Sequence, residues 1–439
     1  MKKLKYIGVM ILTLSFFACE GPLELDPAQS IDNEKLIVDA PSAAVAMNGL
    51  YSNAQDLWGG ITTIIMDVAT DITDHTGTFT GWRDLDESNP LPDNTAIDDP
   101  WRDGYALIYN CNVVMTVVPT VDDPALDKNQ AIGEARALRA WAYYYLTNMF
   151  GDIPLIQTPL ASLDEIDVAT VPQAEIVSFI LSELSTALGE LGENTDANRI
   201  TTGAVNAMMA KVHAHAGNWS MASAAADEVI GGSYALVPNY MDLFNGAISG
   251  EAIFQLDFNS NDNNIISFYY WDTPGGRHEI GPSERIRLAI DSTADARAAS
   301  IIPAPMSVNA DFQVAKYSDF ALGTDKPILL RLADIILIKA EAEAEQGNYS
   351  EASDLLNMVR TRAGLDNATL NAGNFKDMIL EERMKELAWE AGHRFIDMQR
   401  TGTIIDHVVA NNQPDCQSVW PLPRAEIDAN KGITQNPCY

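Results

Sequence analysis

A short motif that occurs twice constrains the fold more than any other feature of this sequence. Residues 217–223 (GNWSMAS) and 347–353 (GNYSEAS) agree at six of seven positions when Trp219 and Tyr349 are counted as alike. Each copy lies between two stretches with helical periodicity, where a glycine permits a turn and alanine lets two helices approach closely. This is the spacing of tetratricopeptide repeats, and it predicts stacked helix pairs.

Apolar residues recur every three to four positions through most of the remaining chain, which is typical of amphipathic helices. Asp39 supplies a helix start, and Pro100, at a first-turn position, is predicted to open a second helix. Further helices are predicted over residues 128–149, 173–190, 202–216 and 219–230. The pattern is interrupted by two long polar regions, 71–99 and 244–282, and the second begins with a strand-like run at 251–258. The predicted fold class is therefore mostly α: a helical bundle with tetratricopeptide-like hairpins, long loop insertions and a few short strands.

The N-terminus predicts export and lipid attachment. Three lysines precede an apolar run at residues 6–17, which is shorter than the roughly 20 residues that a membrane-spanning helix needs. Ala18 then precedes Cys19, and this junction resembles a lipobox, although Phe16 and Phe17 replace its usual residues. We expect a signal peptide over 1–18, a lipid-anchored tether over 19–35 that begins at Cys19, and one domain over 36–439. An ordinary signal peptide with a cysteine nearby is the alternative.

Charge and cysteine content narrow the classes of partner. The formal net charge of −33 repels phosphate backbones, so no nucleic-acid partner is expected. Cys111 lies in a helical pattern, whereas Cys416 and Cys438 flank the C-terminal loop region and could form a disulfide in an oxidising, exported setting. No metal site is expected, because neither a CxxC pair nor a zinc-like Cys/His spacing occurs. No cofactor is expected, and the chain contains no GxSxG, HExxH or phosphate-binding glycine loop, so we do not expect an enzyme.

Several sequence blocks follow one another in a characteristic order: LDP at 25–27, EARALRA at 134–140, FGDIPL at 150–155, LRLADIILIKAEA at 330–342, NMVRTRAG at 357–364, ELAWE at 386–390, GHR at 392–394 and WPLP at 420–423. Taken together and in this order, they resemble the SusD/RagB family of outer-membrane nutrient-binding lipoproteins. The resemblance covers essentially the whole mature chain, and Cys438 departs from it by standing where the family usually has glycine. Charged residues of these blocks lie at helical spacings that predict paired, partly buried scaffold charges: Arg136, Arg139, Glu382, Arg383, Glu386, Glu390, Arg394, Asp397 and Arg400.

The resemblance implies a cell-surface protein of the outer membrane, attached only by its lipid, that captures oligosaccharide or polysaccharide. It also implies a partner, a SusC-like TonB-dependent β-barrel transporter on which the protein sits as a hinged lid. Some relatives take up peptides instead, so a RagB-like peptide importer is an alternative. A tetratricopeptide-like scaffold for protein assembly is a second one.

Glycan sites need aromatic platforms for the apolar face of a sugar and polar side chains for its hydroxyls. The two irregular regions contain both, and the candidate ligand-binding residues are Trp58, Asp74, Trp82, Arg83, Tyr269, Tyr270, Trp271 and Arg277. If residues 268–271 are extended, alternate side chains face opposite ways, so at most half of them can meet a ligand. Loop aromatics folded down as caps on the helices are the alternative. The acidic chain favours a neutral glycan, although Arg277, Arg285 and Arg287 could form a local basic patch.

Overall fold

Helices form the frame of the protein. The computed structural model describes residues 36–160, 167–246, 249–272, 274–307 and 310–439, so the predicted signal peptide, the tether and Cys19 lie outside the described residues. The helices, in chain order, are α1 Ala40–Trp58, α2 Ile61–Val68, α3 Thr80–Asp86, α4 Thr95–Val117, α5 Lys128–Phe150, α6 Gln173–Glu190, α7 Thr202–His215, α8 Trp219–Ile230, α9 Ile266–Tyr270, α10 Glu284–Ala289, α11 Leu332–Glu345, α12 Tyr349–Arg362, α13 Phe375–Leu387, α14 His393–Thr401, α15 Thr403–Ala410 and α16 Arg424–Ala429.

Side-chain caps set where the first long helices begin. At α1 the Asp39 carboxylate accepts from the Ser42 backbone N–H at 2.8 Å, and the Ser42 hydroxyl accepts from the Asp39 N–H at 3.0 Å. This reciprocal pair satisfies two donors that a helix start leaves open, and it confirms the predicted start. At α4 the cap is Asn94, which accepts from the Ala96 N–H at 2.9 Å. The prediction that this helix opens at Pro100 is therefore wrong, because Pro100 lies inside it.

The two motif copies form the predicted helical hairpins. Helix α7 packs against α8 and α11 against α12, and α11 also packs along α8, so the two pairs stack. Gly217 and Gly347 adopt left-handed φ values of 70° and 86° at the two turns. Trp219 and Tyr349, which begin the second helix of each pair, pack against the main core. The predicted fold class is confirmed.

Short antiparallel ribbons occur at the edges of the helical frame. The described strands pair as β1 Thr73–His75 with β5 Ile280–Pro282, β2 Ile153–Pro154 with β3 Thr170–Val171, β4 Ala252–Gln255 with β8 Ile328–Arg331, and β6 Ile301–Pro303 with β7 Phe312–Val314. Strand β4 lies within the strand-like run that the sequence predicts. Residues 268–270 belong to helix α9, so they do not adopt the extended conformation in which alternate side chains would face opposite ways.

Ion pairs in the interior hold the helices together, as the spacing of the family-like blocks predicts. Arg331 lies 2.8 Å from Glu251, 2.6 Å from Glu386 and 2.7 Å from Glu390. The other predicted charges are also paired: Arg136 and Arg139 with Glu183, Glu382 with Arg297, Arg383 and Arg400 with Asp397, and Arg394 with Asp71.

A disulfide closes the C-terminal segment. Cys416 and Cys438 are bridged, with Cα atoms 6.0 Å apart, which confirms the pairing that the sequence allows. Such a loop stabilises the native state by about 3 kcal/mol in the chain-entropy model. None of the helices in the described ranges combines the length and apolar character that crossing a bilayer requires.

Candidate ligand-binding site

The two irregular regions meet on one surface. Strand β1 from the first region pairs with β5 from the second, and the register places Thr73 opposite Pro282 and His75 opposite Ile280. The Thr76 hydroxyl adds a bond of 2.7 Å to the His278 carbonyl oxygen. Loops that are about two hundred residues apart in sequence therefore share one rigid connection.

The buried side chain of Glu279 stabilises this connection. Its carboxylate is fully buried and accepts from the backbone N–H groups of Thr78 at 2.7 Å and Phe79 at 3.1 Å. It also forms an ion pair with Arg277. A Cβ atom at Gly77 would lie 2.0 Å from a Glu279 carboxylate oxygen, so the close approach requires glycine at that position.

Aromatic rings from both loops pack together above this anchor. The ring centroids are 5.3 Å apart for Phe79 and Trp82, 4.9 Å for Trp82 and Tyr269, and 5.6 Å for Tyr269 and Phe268. The Arg277 guanidinium lies 4.2 Å from the centroid of the Phe79 ring. Phe268 leaves 42% of its surface exposed at the edge of this aromatic cluster.

A second ring pair joins this loop to the segment that contains Phe320. Trp271 packs against Phe320 with centroids 5.7 Å apart, and the Trp271 indole N–H donates to the Tyr317 carbonyl oxygen. Phe320 remains 49% exposed. A Cβ atom at Gly275 would approach the Phe320 ring to 2.9 Å, so glycine allows the two loops to touch.

Two adjoining clefts run beside these rings. The loop cleft, of about 500 Å³, is lined by Ser52, Gln55, Asp56, Gly59, Gly60, Ile61, Thr62, Asp99, Arg102, Asp103, Phe258, Asp262, Asn263, Asn264 and Ile265. The aromatic cleft, of about 470 Å³, is lined by Ile61, Phe79, Thr80, Gly81, Trp82, Thr95, Ala96, Asp98, Asp99 and Arg102. Because the two share Ile61, Asp99 and Arg102, they form one elongated depression of the size that small ligands occupy.

Arg102 is held at the junction of the two clefts. Its Nη2 atom lies 2.8 Å from Asp99 and its Nε atom 3.1 Å from Asp103. Burial alone would lower the pKa of Arg102, but the carboxylates of Asp103 and Asp99 outweigh it and raise that pKa. Burial also raises the pKa of Asp103, although Arg102 opposes the shift.

Gln55 fixes the asparagine-rich wall of the loop cleft. Its amide donates to the Asp257 carbonyl oxygen at 3.0 Å and to the Asp262 carboxylate at 2.9 Å. A Cβ atom at Gly59 would come within 2.4 Å of the Phe258 ring, so the wall packs directly on the end of α1. The amide and carboxylate groups of this wall are of the kind that can bond to hydroxyl groups.

The structure brings some of the predicted ligand residues together. Trp82, Tyr269 and Arg277 belong to the aromatic cluster or contact it, and Trp271 follows on the same loop. Trp82 lines the aromatic cleft but is only 4% exposed, and Tyr269 is also buried, so these rings form a wall and not an open platform.

Two aromatic predictions are wrong. Trp58 and Tyr270 are 0% and 1% exposed, so neither ring can face a ligand. Trp58 packs 5.7 Å from Tyr145, and Tyr270 stacks 5.9 Å from Tyr317. Both positions end an amphipathic helix, where an aromatic side chain gains more free energy by completing the core than by facing water.

Asp74 and Arg83 do not reach the two clefts. Asp74 lines a separate polar cleft with Asp86 and His407, and burial raises its pKa. Arg83 is exposed on α3 and lines neither the loop cleft nor the aromatic cleft.

The candidate residues inferred from the sequence do not include Phe79, Phe320, Asp99 and Arg102. Phe320 stands in a polar, glycine-containing segment, SDFALGTD at 318–325, which has the composition that singled out the other two loops. That signal could have found it. For Arg102 the signal was local: Asp99 and Asp103 lie three residues before it and one after it.

The described residues contain no cluster of three or more His, Cys, Asp or Glu side chains placed to hold a metal ion. The rings and hydrogen-bonding groups around the two clefts are of the kinds that contact ligands with apolar faces and polar rims.

Two family models match this chain. One, described as "SusD family", matches residues 294–439, and another, described as "Starch-binding associating with outer membrane", matches residues 25–213. SusD-like protein P38 of Formosa agariphila is 25% identical over 100% of both chains. SusD-like protein P25 of the same organism is 27% identical over 93% of this chain and 92% of its own.

Solved structures share the fold. A "Laminarin binding SusD-like protein" superposes with a TM-score of 0.82 at 22% identity, over 92% of this chain and 100% of its own. "Surface glycan-binding protein A from Bacteroides thetaiotaomicron in complex with laminarihexaose" gives a TM-score of 0.76 at 18% identity, over 91% and 100% of the two chains.

Proposed function

The chain belongs to the SusD family, and from this premise we propose that it captures glycan at the cell surface for import. The observation that carries the proposal is the aromatic cluster of Phe79, Trp82, Tyr269 and Phe268, in which Phe79 and Trp82 line a cleft that adjoins the polar loop cleft and Phe268 is exposed at the edge. Trp271 and the exposed Phe320 form a second ring pair that continues from Phe268 along the chain.

The chemistry of the cleft suits a sugar chain. A pyranose ring has a C–H face that packs on aromatic rings and a rim of hydroxyls that needs donors and acceptors. The exposed rings offer the first kind of contact, and Asn263, Asp262 and Arg102 offer the second.

Two structural relatives suggest the first ligand to test. One is named for binding laminarin and the other was solved with laminarihexaose, and both share the fold of this chain. Laminarihexaose is therefore the first probe, within a wider array that also includes other neutral, uronic-acid and sulfated oligosaccharides and short peptides.

The double variant Phe268→Ala/Trp271→Ala tests the site. We expect it to lower affinity for the bound glycan by tenfold or more in calorimetric titration, since stacking of each ring contributes about 1 kcal/mol or more. Tyr109→Ala is the matched control, because Tyr109 is an exposed aromatic residue that lines neither cleft. Unchanged affinity in the double variant would show that the glycan binds elsewhere. Binding of peptides but of no glycan would favour a peptide importer.

We propose that Cys19 carries the lipid that attaches the protein to the outer surface of the outer membrane. The family model over residues 25–213, whose description includes outer-membrane association, supports this location. Antibody labelling of intact cells should detect the protein, and Cys19→Ala should release it from the membrane fraction. Labelling that appears only after permeabilisation contradicts surface exposure.

The proposed partner is a SusC-like TonB-dependent β-barrel transporter, on which the protein acts as a lid. Family membership supports this proposal. Purification of the tagged protein from detergent-solubilised outer membranes should recover a β-barrel of that class in a fixed ratio. Recovery of the protein alone under several mild detergents contradicts a stable complex.

We propose binding without catalysis. Two structural relatives of the protein have names that state binding. Incubation of the pure protein with each bound glycan should release no new reducing ends, and any turnover would overturn this part of the proposal.

A further inference from the structure

The junction residue Arg102 combines a fixed position with an exposed head group. Its guanidinium is held on one edge by Asp103 and at Nη2 by Asp99, yet the side chain remains 66% exposed. It lines both the loop cleft and the aromatic cleft. A guanidinium has five N–H donors in a rigid plane, and these two contacts occupy only part of them.

The surroundings of Arg102 are acidic. The residues that line the two clefts include Asp56, Asp98, Asp99, Asp103 and Asp262, against Arg102 alone among basic side chains. An anionic ligand would have to approach these carboxylates while the one cation is already paired. Like charges in such a partly buried groove repel more strongly than in bulk water.

Basic residues near the second loop do not offset this charge. Arg277 is paired with the buried Glu279, and Arg285 is paired with Glu381 at 2.6 Å. The basic patch that the sequence allowed is therefore neutralised at two of its three positions.

We propose that Arg102 is a specificity-determining residue that donates hydrogen bonds to the hydroxyls of a neutral glycan, while the aspartates around it exclude uronic-acid and sulfated glycans. This inference rests on the proposed function, since it assigns the charge class of the glycan in the same cleft. Paired with two carboxylates, the guanidinium keeps its charge but has that charge offset, so it acts as an oriented donor for adjacent hydroxyls and not as an anion receptor.

The first experiment is an array of neutral, uronic-acid and sulfated oligosaccharides, laminarihexaose among them, probed with the full chain purified in detergent. We expect binding to neutral members only. Tight binding of a uronic-acid or sulfated member overturns the inference but leaves glycan capture intact. Binding to no glycan at all overturns both.

The second experiment compares matched arginine variants. Arg102→Gln should lower affinity for the neutral glycan by about tenfold or more, because it removes a charge-assisted donor. Arg285→Gln is the control, since Arg285 is also exposed and paired with carboxylates but lies outside both clefts. Equal affinities for the two variants overturn the role of Arg102, whereas loss of binding in Phe268→Ala/Trp271→Ala would still support the site itself.

The third experiment tests exclusion as a gain of function. Asp99→Asn/Asp103→Asn removes two negative charges and frees the guanidinium, so binding of a hexameric oligouronate should rise at least about tenfold. Glu381→Gln, which frees Arg285 instead, should change nothing. If the double variant binds the oligouronate no more tightly than the wild type does, the exclusion mechanism is wrong.

Discussion

At the scale of single residues, the interior depends on matched charges. Glu386 contacts Arg331 at 2.6 Å and Arg297 at 3.3 Å, and it also pairs with Arg362. Burial alone would raise the pKa of Glu386, but these three arginines outweigh it and hold that pKa far below its usual range. The carboxylate is therefore ionised in the native state.

Replacing this carboxylate should be costly. Glu386→Gln removes one carboxylate that three buried arginine side chains share and leaves their positive charge in excess, so we expect the free energy of unfolding to fall by about 3–5 kcal/mol. Glu381→Gln is the matched control, because Glu381 pairs with Arg285 at the surface and should cost about 1 kcal/mol or less. Urea denaturation measures both values, and a similar cost for the two variants contradicts the prediction.

Histidines make stability depend on pH. Burial lowers the pKa of each of the six histidines, and burial followed by the charge of Lys211 lowers that of His393 to about 3. Between that value and the unfolded pKa of about 6.5, the unfolded chain binds a proton at His393 and the native protein does not. The stability that neutral His393 provides is thus complete above pH 6.5 or so and is lost as the pH falls.

The variant His393→Gln isolates this contribution. Between about pH 6 and pH 4 the unfolding free energy of the wild type should fall more steeply than that of the variant, by about 1.4 kcal/mol per pH unit. Denaturation curves at successive pH values give the two slopes. Parallel slopes would mean that His393 is protonated in the native protein.

Which way an aromatic residue faces could not be read from the sequence. Trp58, Tyr270 and Phe268 all lie close to loops, yet only Phe268 is exposed. A ring at a helix end can complete the core or face a ligand, and the choice depends on long-range neighbours such as Tyr145 and Tyr317. That the block charges are paired was predictable, by contrast, because a buried charge requires a partner. Most of the partners, such as Glu183, Glu251 and Asp71, lie on other elements, so their identities were not.

At the scale of elements, the two hairpin turns depend on left-handed glycines. A Cβ atom at Gly347 would meet no neighbour within 4 Å, so the conformation alone requires glycine at its φ of 86°. We expect Gly347→Ala to destabilise the protein by about 1 kcal/mol.

Substitution of a glycine inside a helix should change the stability in the opposite direction, and it serves as the control. Gly49 lies in the middle of α1, and its Cβ would also meet nothing within 4 Å. Gly49→Ala should therefore stabilise the protein by up to about 1 kcal/mol, since alanine favours the helix more than glycine does. Thermal unfolding would show shifts of opposite direction, and shifts of the same sign would contradict this account of the turns.

Helices were predictable because their signal is local. Helix α6 has the bounds that the periodicity predicts, and α7 ends one residue from its predicted end. The five-residue α9 was missed, since a single turn carries too little periodicity to be seen. The pairing of β1 with β5 could not be predicted from the sequence either, because no sequence pattern links two three-residue strands that are about two hundred residues apart. This pairing is what assembles the site, so the sequence could name the two loops but not the surface that they form together.

At the scale of the whole molecule, the excess negative charge and the inferred neutral ligand together predict how affinity depends on salt. A chain with a formal net charge of −33 surrounds its clefts with a negative potential, and the cleft aspartates extend that potential into the site. A neutral glycan does not respond to this potential, whereas an anionic one is repelled by it. Added salt shortens the screening length from about 10 Å at 0.1 M to about 3 Å at 1 M, so it should weaken only the repulsion.

Affinity for the neutral glycan should therefore change by less than about twofold between about 0.05 M and 1 M NaCl, as measured by titration calorimetry. Affinity for an oligouronate of the same length should be low and should rise with salt. In Asp99→Asn/Asp103→Asn the oligouronate should instead bind less tightly as salt rises, because Arg102 then supplies an attraction that salt screens. A neutral-glycan affinity that falls steeply with salt would mean that ion pairing contributes to recognition, and the charge class assigned to the ligand would be wrong.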